Sequence, residues 1–74
     1  MKYQKLSIII PAYNEEKRIG RTLEEYCGFF KSKKKNKELD FEIIVVINNT
    51  TDKTEEIVKS YQKKCKELKY LNFK

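Results

Sequence analysis

Five consecutive β-branched residues, from Ile43 to Ile47, most constrain what this chain can fold into. No polar residue interrupts the run, so it predicts a strand, covering residues 41–47, that is buried on both faces. Strands of this kind belong to parallel sheets that are covered by helices. A chain of 74 residues has room for at most one such sheet in one small domain.

A second apolar run, residues 6–10, is followed by Pro11 and Ala12. Because proline has no N–H to donate, the run predicts a strand that ends at Pro11. Tyr13 and Glu15 then lie in a strand-to-helix turn, and in open parallel sheets such turns occupy the carboxyl ends of the strands, where ligands bind. The same residues would also occur in a turn that has no ligand and only ends a strand and begins a helix. The pattern leaves open whether this turn is a ligand site or only structural.

Each strand is followed by apolar residues at helical spacing. The first helix is expected from about Glu16 to Lys31, with Asn14 as its N-cap and acidic residues in its first turn. The second is expected to begin at the capping-box pattern of Asp52 and Glu55. The residues predicted to be buried are Ile19, Leu23, Tyr26, Cys27 and Phe30 in the first helix, and Ile57, Val58, Tyr61, Cys65 and Leu68 in the second.

Tyr70, Leu71 and Phe73 predict the opening of a third strand, which gives an α/β chain with the order β-α-β-α-β. Right-handed crossovers put both helices on one face when the strands follow one another in one direction. One sheet face and the outer edge of the first strand are then uncovered, although each buried apolar side chain would contribute about 1.5–3 kcal/mol. We therefore expect residues 1–74 to be a single partial domain, completed by further chain, by a second copy or by another partner.

The formal charge of +6 suits an anionic partner. Lysines concentrate between Lys31 and Lys37, which predicts an exposed loop. This loop is either a solvated connector or a contact with anionic lipid head groups, worth about 1 kcal/mol per lysine. Only Arg18 and Arg21 have the planar guanidinium group that forms bidentate hydrogen bonds with the edges of nucleic-acid bases. We therefore expect no sequence-specific binding of nucleic acid.

Cys27 and Cys65 are far apart in sequence and the chain has no histidine, so neither a CxxC pair nor a zinc-ligand spacing is present. We expect two reduced thiols in the core, which fits the cytosol. No apolar run approaches the roughly 18 residues of a membrane helix, and the short N-terminal run is not typical of a signal peptide. The expected location is cytoplasmic, peripheral at a membrane at most.

The strand with PAYNEE at residues 11–16, followed by EIIVVINNTTDKTEEIV at residues 42–58, resembles the start of a family 2 glycosyltransferase. The resemblance covers nearly the whole chain and is greatest to the polyprenyl-phosphate sugar synthases. It implies the N-terminal part of a GT-A fold, a Rossmann-like sheet that binds a nucleoside diphosphate sugar. Carried over to this sequence, it assigns nucleotide contacts to Pro11, Ala12, Tyr13 and Glu15.

The family usually has VDDGS or a close variant after the second strand, and its aspartate accepts a hydrogen bond from the base. Here Asn48 occupies that position, between Ile47 and the pair Asn49 and Thr50. An amide oxygen still accepts a hydrogen bond, but without charge. The resemblance therefore leaves the choice between uracil and guanine open. Asp52 lies in the family's STDGT-like segment, where we interpret it as a helix cap.

Members of the family also have a metal-binding DxD motif and a catalytic base, and neither occurs here, since the aspartates are Asp40 and Asp52. We assign no metal ligand, and expect Mg²⁺ or Mn²⁺ only in a complete enzyme. Gly20 and Gly28 lie within a predicted helix and form no phosphate-binding loop. The sequence thus predicts a nucleotide-sugar-binding segment that is inactive alone. The alternative is a non-enzymatic module that docks through its bare sheet face.

Overall fold

A computed structural model describes residues 4–37, 39–48 and 52–73. In chain order its elements are β1 (Gln4–Ala12), α1 (Ile19–Lys35), β2 (Leu39–Asn48), α2 (Thr54–Gln62) and β3 (Leu68–Phe73). The strands form one parallel sheet in the order β1-β2-β3. The predicted α/β class and β-α-β-α-β order are confirmed.

The core lies between the two helices and one face of the sheet. Alternate residues of β2 project into it, and side chains of α1, α2 and the turn before β3 pack on them. The buried residues are Phe41, Ile43, Val45 and Ile47 on β2, Ile19, Leu23 and Cys27 on α1, Val58 on α2, Ala12 at the end of β1, and Cys65 and Leu68. Both cysteines are free thiols in this core, as the sequence predicts.

The other face of the sheet is open in the part of the chain that the structure describes. Ile9 of β1 and Leu71 of β3 are 56% and 52% exposed, while Ile44 and Val46 between them are half-buried. The predicted bare face is therefore confirmed, together with the open outer edge of β1. β2 was predicted to be buried on both faces. Within the described residues it is buried on one face only, because no element covers the other.

All three strands are longer than predicted, and β2 extends from Leu39 to Asn48 where residues 41–47 were expected. β1 continues through Pro11 to Ala12, because an edge strand needs only some of its N–H groups for the sheet and so tolerates a proline. β3 begins at Leu68, before Tyr70, since Leu68 already lies opposite Ile43 in the register.

The first helix begins and ends later than predicted. It starts at Ile19, with Arg18 at the N-cap position and no side-chain cap, so the predicted cap at Asn14 and the acidic first turn are both wrong. It ends at Lys35, so the predicted loop after Lys31 is helical over most of its length. Lysines in a last helical turn are stabilised by the helix dipole, which explains why the charge run does not end the helix.

The second helix is shorter than its apolar stripe suggested. It begins at Thr54 and ends at Gln62, so Cys65 and Leu68 lie beyond it, although both are buried. The N-cap position is Lys53, and Asp52 caps the helix from the preceding position by accepting the N–H of Thr54 at 3.0 Å. The predicted N-cap position of Asp52 is thus wrong by one residue, although its carboxylate does accept the first N–H of the helix.

Candidate functional site

The strand register brings the carboxyl ends of β1 and β2 to the same end of the sheet. Ala12, the last residue of β1, lies opposite Ile47 of β2 in adjacent parallel strands. Tyr13 and Asn48 follow these two residues directly, so the chain leaves both strands at one rim. This is the arrangement that the sequence predicts for a ligand site at the carboxyl ends of the strands.

The turn after β1 presents its residues in different ways. Tyr13 is 61% exposed and Pro11 is exposed as well. The side chain of Ala12 is buried in the core at 3% exposure, so this residue offers a ligand only its backbone. Asn14 has a positive φ of 49°, a conformation that asparagine tolerates in turns. It lies in the bend after β1, and the N-cap position of α1 is Arg18.

Both the backbone carbonyl and the carboxylate of Glu15 bind residues at the start of α1. Its carbonyl oxygen accepts the N–H groups of Arg18 and Ile19 at 2.9 and 2.7 Å, which forms the tight turn before α1. Its carboxylate forms a bidentate pair with the guanidinium of Arg18, at 2.9 Å to Nε and 3.0 Å to Nη2. The carboxylate is partly buried whereas the Arg18 side chain is 78% exposed. Two oxygens with about four lone-pair positions leave Glu15 able to accept from a ligand as well.

The start of α2 contacts this turn directly. The hydroxyl of the buried Thr54 accepts the N–H of Glu15 at 2.9 Å. Oδ2 of Asp52 accepts the N–H of Glu16 at 3.1 Å, while Oδ1 accepts the Thr54 hydroxyl at 2.5 Å. Partial burial opposes ionisation of Asp52, but these hydrogen bonds outweigh it and lower the pKa of the carboxyl. Thr54 and Arg18 also belong to this site, and neither was predicted from the sequence.

Asn48 is the exposed last residue of β2. The next part of the predicted turn, with Asn49 and Thr50, lies outside the described residues. The position of Asn48 follows from the register of the strands: it comes directly after Ile47, which lies opposite Ala12, and so is at the same rim as Tyr13.

Within residues 4–37, 39–48 and 52–73, no group of three or more cysteine or carboxylate side chains is placed to hold a metal ion. The residues described at this rim do not fit a metal that bridges a diphosphate, and no step is assigned to one. Across the same residues, no helix is both long enough and apolar enough to cross a membrane.

A three-stranded parallel sheet in β-α-β-α-β order, with the carboxyl ends of β1 and β2 at one rim, places the chain in the Rossmann-like α/β class. The family model described as "Glycosyl transferase family 2" matches residues 7–74. The chain belongs to this family, and the resemblance seen in its two motifs is confirmed.

The chain is similar to several enzymes named for dolichyl phosphate. It is 41% identical over 68 residues to dolichyl-phosphate beta-glucosyltransferase ALG5A of Trichomonas vaginalis, an alignment that covers 90% of this chain and 21% of the relative. It is 38% identical over 60 residues to dolichyl-phosphate beta-glucosyltransferase of Dictyostelium discoideum, covering 80% of this chain and 18% of the relative. The chain thus spans about a fifth of the length of the curated relatives it matches. No solved structure matches it.

Proposed function

We propose that this chain is the nucleotide-sugar-binding N-terminal segment of a family 2 glycosyltransferase, a single partial domain that transfers a sugar from a nucleoside diphosphate sugar only as part of a complete enzyme. The observation that carries the proposal is the register of β1 and β2. With Ala12 opposite Ile47, the turn containing Tyr13 and Glu15 lies beside Asn48 at one rim. The names of the relatives favour glucose as the sugar and dolichyl phosphate as the acceptor.

The side chains at this rim suit the parts of a nucleotide. The exposed ring of Tyr13 can stack on the base or cover the ribose, since it offers an apolar face and a polar tip. The carboxylate of Glu15 accepts ribose hydroxyls or base N–H groups, and Arg18 already fixes its orientation. Asn48 supplies an amide that can both donate and accept. Pro11 is exposed and Ala12 offers its backbone, so both can contact the nucleotide at the end of β1.

Titration with uridine diphosphate and guanosine diphosphate, followed by the ¹H–¹⁵N spectrum of the labelled chain, tests this proposal. We expect weak, saturable binding that shifts the amide signals of Tyr13, Glu15 and Asn48. Inorganic diphosphate is the control, because it carries the charge without base and ribose. Shifts confined to lysine-rich segments, and equal for all three compounds, would contradict a nucleotide site at this rim.

Catalysis is not expected from this chain alone, since the described residues contain no group of three or more side chains that could hold a metal ion, and no catalytic base is assigned. Incubation with a nucleoside diphosphate glucose and a dolichyl phosphate acceptor should give no glycolipid product. Product formation above the level of a Tyr13→Ala and Glu15→Gln double variant would refute this part of the proposal.

A second candidate function is association through the open sheet face, with another copy as the partner. It is favoured by the exposure of Ile9, Leu71 and Phe73 on the described part of the chain, since contiguous apolar surface marks an interface. Sedimentation over a range of concentrations tests it. A dimer that disappears on Leu71→Lys substitution, together with no response to nucleotide, would favour this function over nucleotide binding.

The proposal also includes a cytoplasmic location and a peripheral contact with an anionic membrane through the lysines from Lys31 to Lys37. The two free thiols fit a reducing compartment. Lys31 donates to the carbonyl of Lys64, which places a second lysine-containing segment beside the first. Flotation with vesicles of phosphatidylserine and phosphatidylcholine, compared with phosphatidylcholine alone, tests the membrane contact.

A further inference from the structure

A fully buried hydroxyl connects the start of α2 to the turn after β1. Thr54 has 0% exposure, and its Oγ accepts the N–H of Glu15 at 2.9 Å. The same hydroxyl donates to Oδ1 of Asp52 at 2.5 Å, so both its donor and an acceptor position are used. The hydroxyl therefore joins two segments that leave different strands.

Asp52 completes the connection with its second oxygen. Oδ1 accepts the N–H of Thr54 at 3.0 Å, as a helix cap does. Oδ2 accepts the N–H of Glu16 at 3.1 Å, across to the other turn. A cap needs only the first of these bonds. The second, and the bond from Glu15 to Thr54, act on the turn after β1 and not on α2.

From these bonds we infer that Asp52 and Thr54 are positioning residues of the nucleotide site, which fix the backbone of Glu15 and Glu16 so that Tyr13 and the Glu15 carboxylate face the ligand. The inference rests on the proposed function. Neither residue needs to touch the nucleotide, because both act through the two backbone N–H groups. The local bonds from Arg18 and Ile19 to the Glu15 carbonyl, and the ion pair between Arg18 and Glu15, connect this turn to the start of α1 and not to α2.

Substitution of Thr54 separates this role from a purely structural one. Thr54→Val keeps the shape and removes the hydroxyl, whereas Thr54→Ser keeps the hydroxyl. Ser60→Ala is the matched control, since Ser60 is on the same helix and its hydroxyl donates to the carbonyl of Ile57, one turn earlier in that helix. Asp52→Asn keeps an oxygen for Thr54 but loses an acceptor, so it should release Glu16 while Glu15 stays bound.

Two measurements on each variant provide the readout: amide hydrogen exchange of Glu15 and Glu16 in the free chain, and affinity for uridine and guanosine diphosphate. We expect Thr54→Val to expose the Glu15 amide to exchange and to weaken nucleotide binding about tenfold, since the hydroxyl's bonds to both Glu15 and Asp52 are lost. Exchange in β2 should stay unchanged. Thr54→Ser and Ser60→Ala should bind within about twofold of the unsubstituted chain.

The outcomes distinguish the inference from the proposed function. If Thr54→Val frees the Glu15 amide but binds nucleotide as well as the unsubstituted chain does, the positioning role is wrong. Unchanged exchange at Glu15 would refute the connection itself. If Thr54→Val does not fold, Asp52→Asn gives the same test at Glu16. Absence of nucleotide binding by the unsubstituted chain would refute the proposed function, and the positioning role with it.

Discussion

The backbone N–H of Glu15 donates to the hydroxyl of Thr54 at 2.9 Å, although the two residues are 39 positions apart in sequence. The turn after β1 and the start of α2 are therefore one structural unit. The parallel register of β1 and β2 brings the carboxyl ends of these strands to the same rim. The bond between Glu15 and Thr54 then determines how the first turn is oriented there, which is the property that a ligand site depends on.

Removal of the Tyr13 ring should weaken nucleotide binding. The ring is 61% exposed, so the substitution leaves no cavity and should not unfold the chain. A stacked aromatic contact is worth about 0.5–1.5 kcal/mol, so Tyr13→Ala should lower the affinity for uridine or guanosine diphosphate about two- to tenfold. Isothermal titration calorimetry measures the change. Tyr13→Phe keeps the ring and should bind nearly normally; an equal loss in both variants would show that the hydroxyl, and not the ring, makes the contact.

Neutralising the Glu15 carboxylate should have a larger effect. A hydrogen bond to a charged group is worth about 1.5–3 kcal/mol, so Glu15→Gln should weaken nucleotide binding by about tenfold or more. Glu25→Gln is the matched control, because Glu25 on α1 forms a similar pair with Arg21 at 3.2 Å, away from the turn that contains Glu15. Both ion pairs are at the surface, so both variants should keep the stability of the chain within about 1 kcal/mol. Equal binding by the two variants would exclude Glu15 from the nucleotide site.

The sheet could be predicted from the sequence because its signal is local. Two β-branched runs, each followed by helical spacing, determine parallel strands and the rim where Tyr13 and Asn48 lie. The open face could be predicted as well, since Ile9 and Ile44 are apolar on a side that right-handed crossovers leave without helices.

The start of α1 could not be predicted in the same way. Asn14 and two acidic residues have the composition of a helix N-terminus, yet the N–H groups of Glu15 and Glu16 are taken by Thr54 and Asp52. These partners come from a distant part of the chain, so local propensity cannot reveal them. The helix begins after the turn that they hold, at Ile19.

Acid should destabilise the chain partly through Glu67. Partial burial raises the pKa of this carboxyl, but the hydrogen bond from Lys34 at 2.8 Å outweighs it, so the pKa lies below its ordinary value of 4.5. The stabilisation is therefore present above about pH 4.5 and is lost as the pH falls through the folded-state pKa. Urea unfolding across this range should show a smaller loss of stability for Glu67→Gln than for the unsubstituted chain.

Lys34→Gln should reduce the same pH dependence, since it removes the cation that pairs with Glu67. Lys35→Gln is the control on the same helical turn and should leave the pH dependence unchanged. If all three variants lose stability in acid as steeply as the unsubstituted chain, the Lys34 pair does not contribute to it.

The thiol of Cys27 should be inert in the folded chain. Burial, reinforced by the neighbouring Cys65, raises the pKa of Cys27 to about 12. The thiolate that reacts with disulfide reagents is then on the order of one part in 10⁵ at neutral pH. Labelling with a chromogenic disulfide should therefore follow the rate of unfolding, while an introduced Ser32→Cys at an exposed position of α1 should react at once. Rapid labelling of both native thiols would contradict their burial.

The two faces of the sheet should differ in what they contribute to stability. Ile43 has 0% exposure on the helix-covered face and Ile9 has 56% exposure on the open face. Ile43→Val should lower the free energy of unfolding by about 0.5–1.5 kcal/mol, whereas Ile9→Val should change it by less than about 0.5 kcal/mol. Urea titrations at two chain concentrations measure both. A loss for Ile9→Val that equals the loss for Ile43→Val and grows with concentration would mean that a second copy covers the open face in solution.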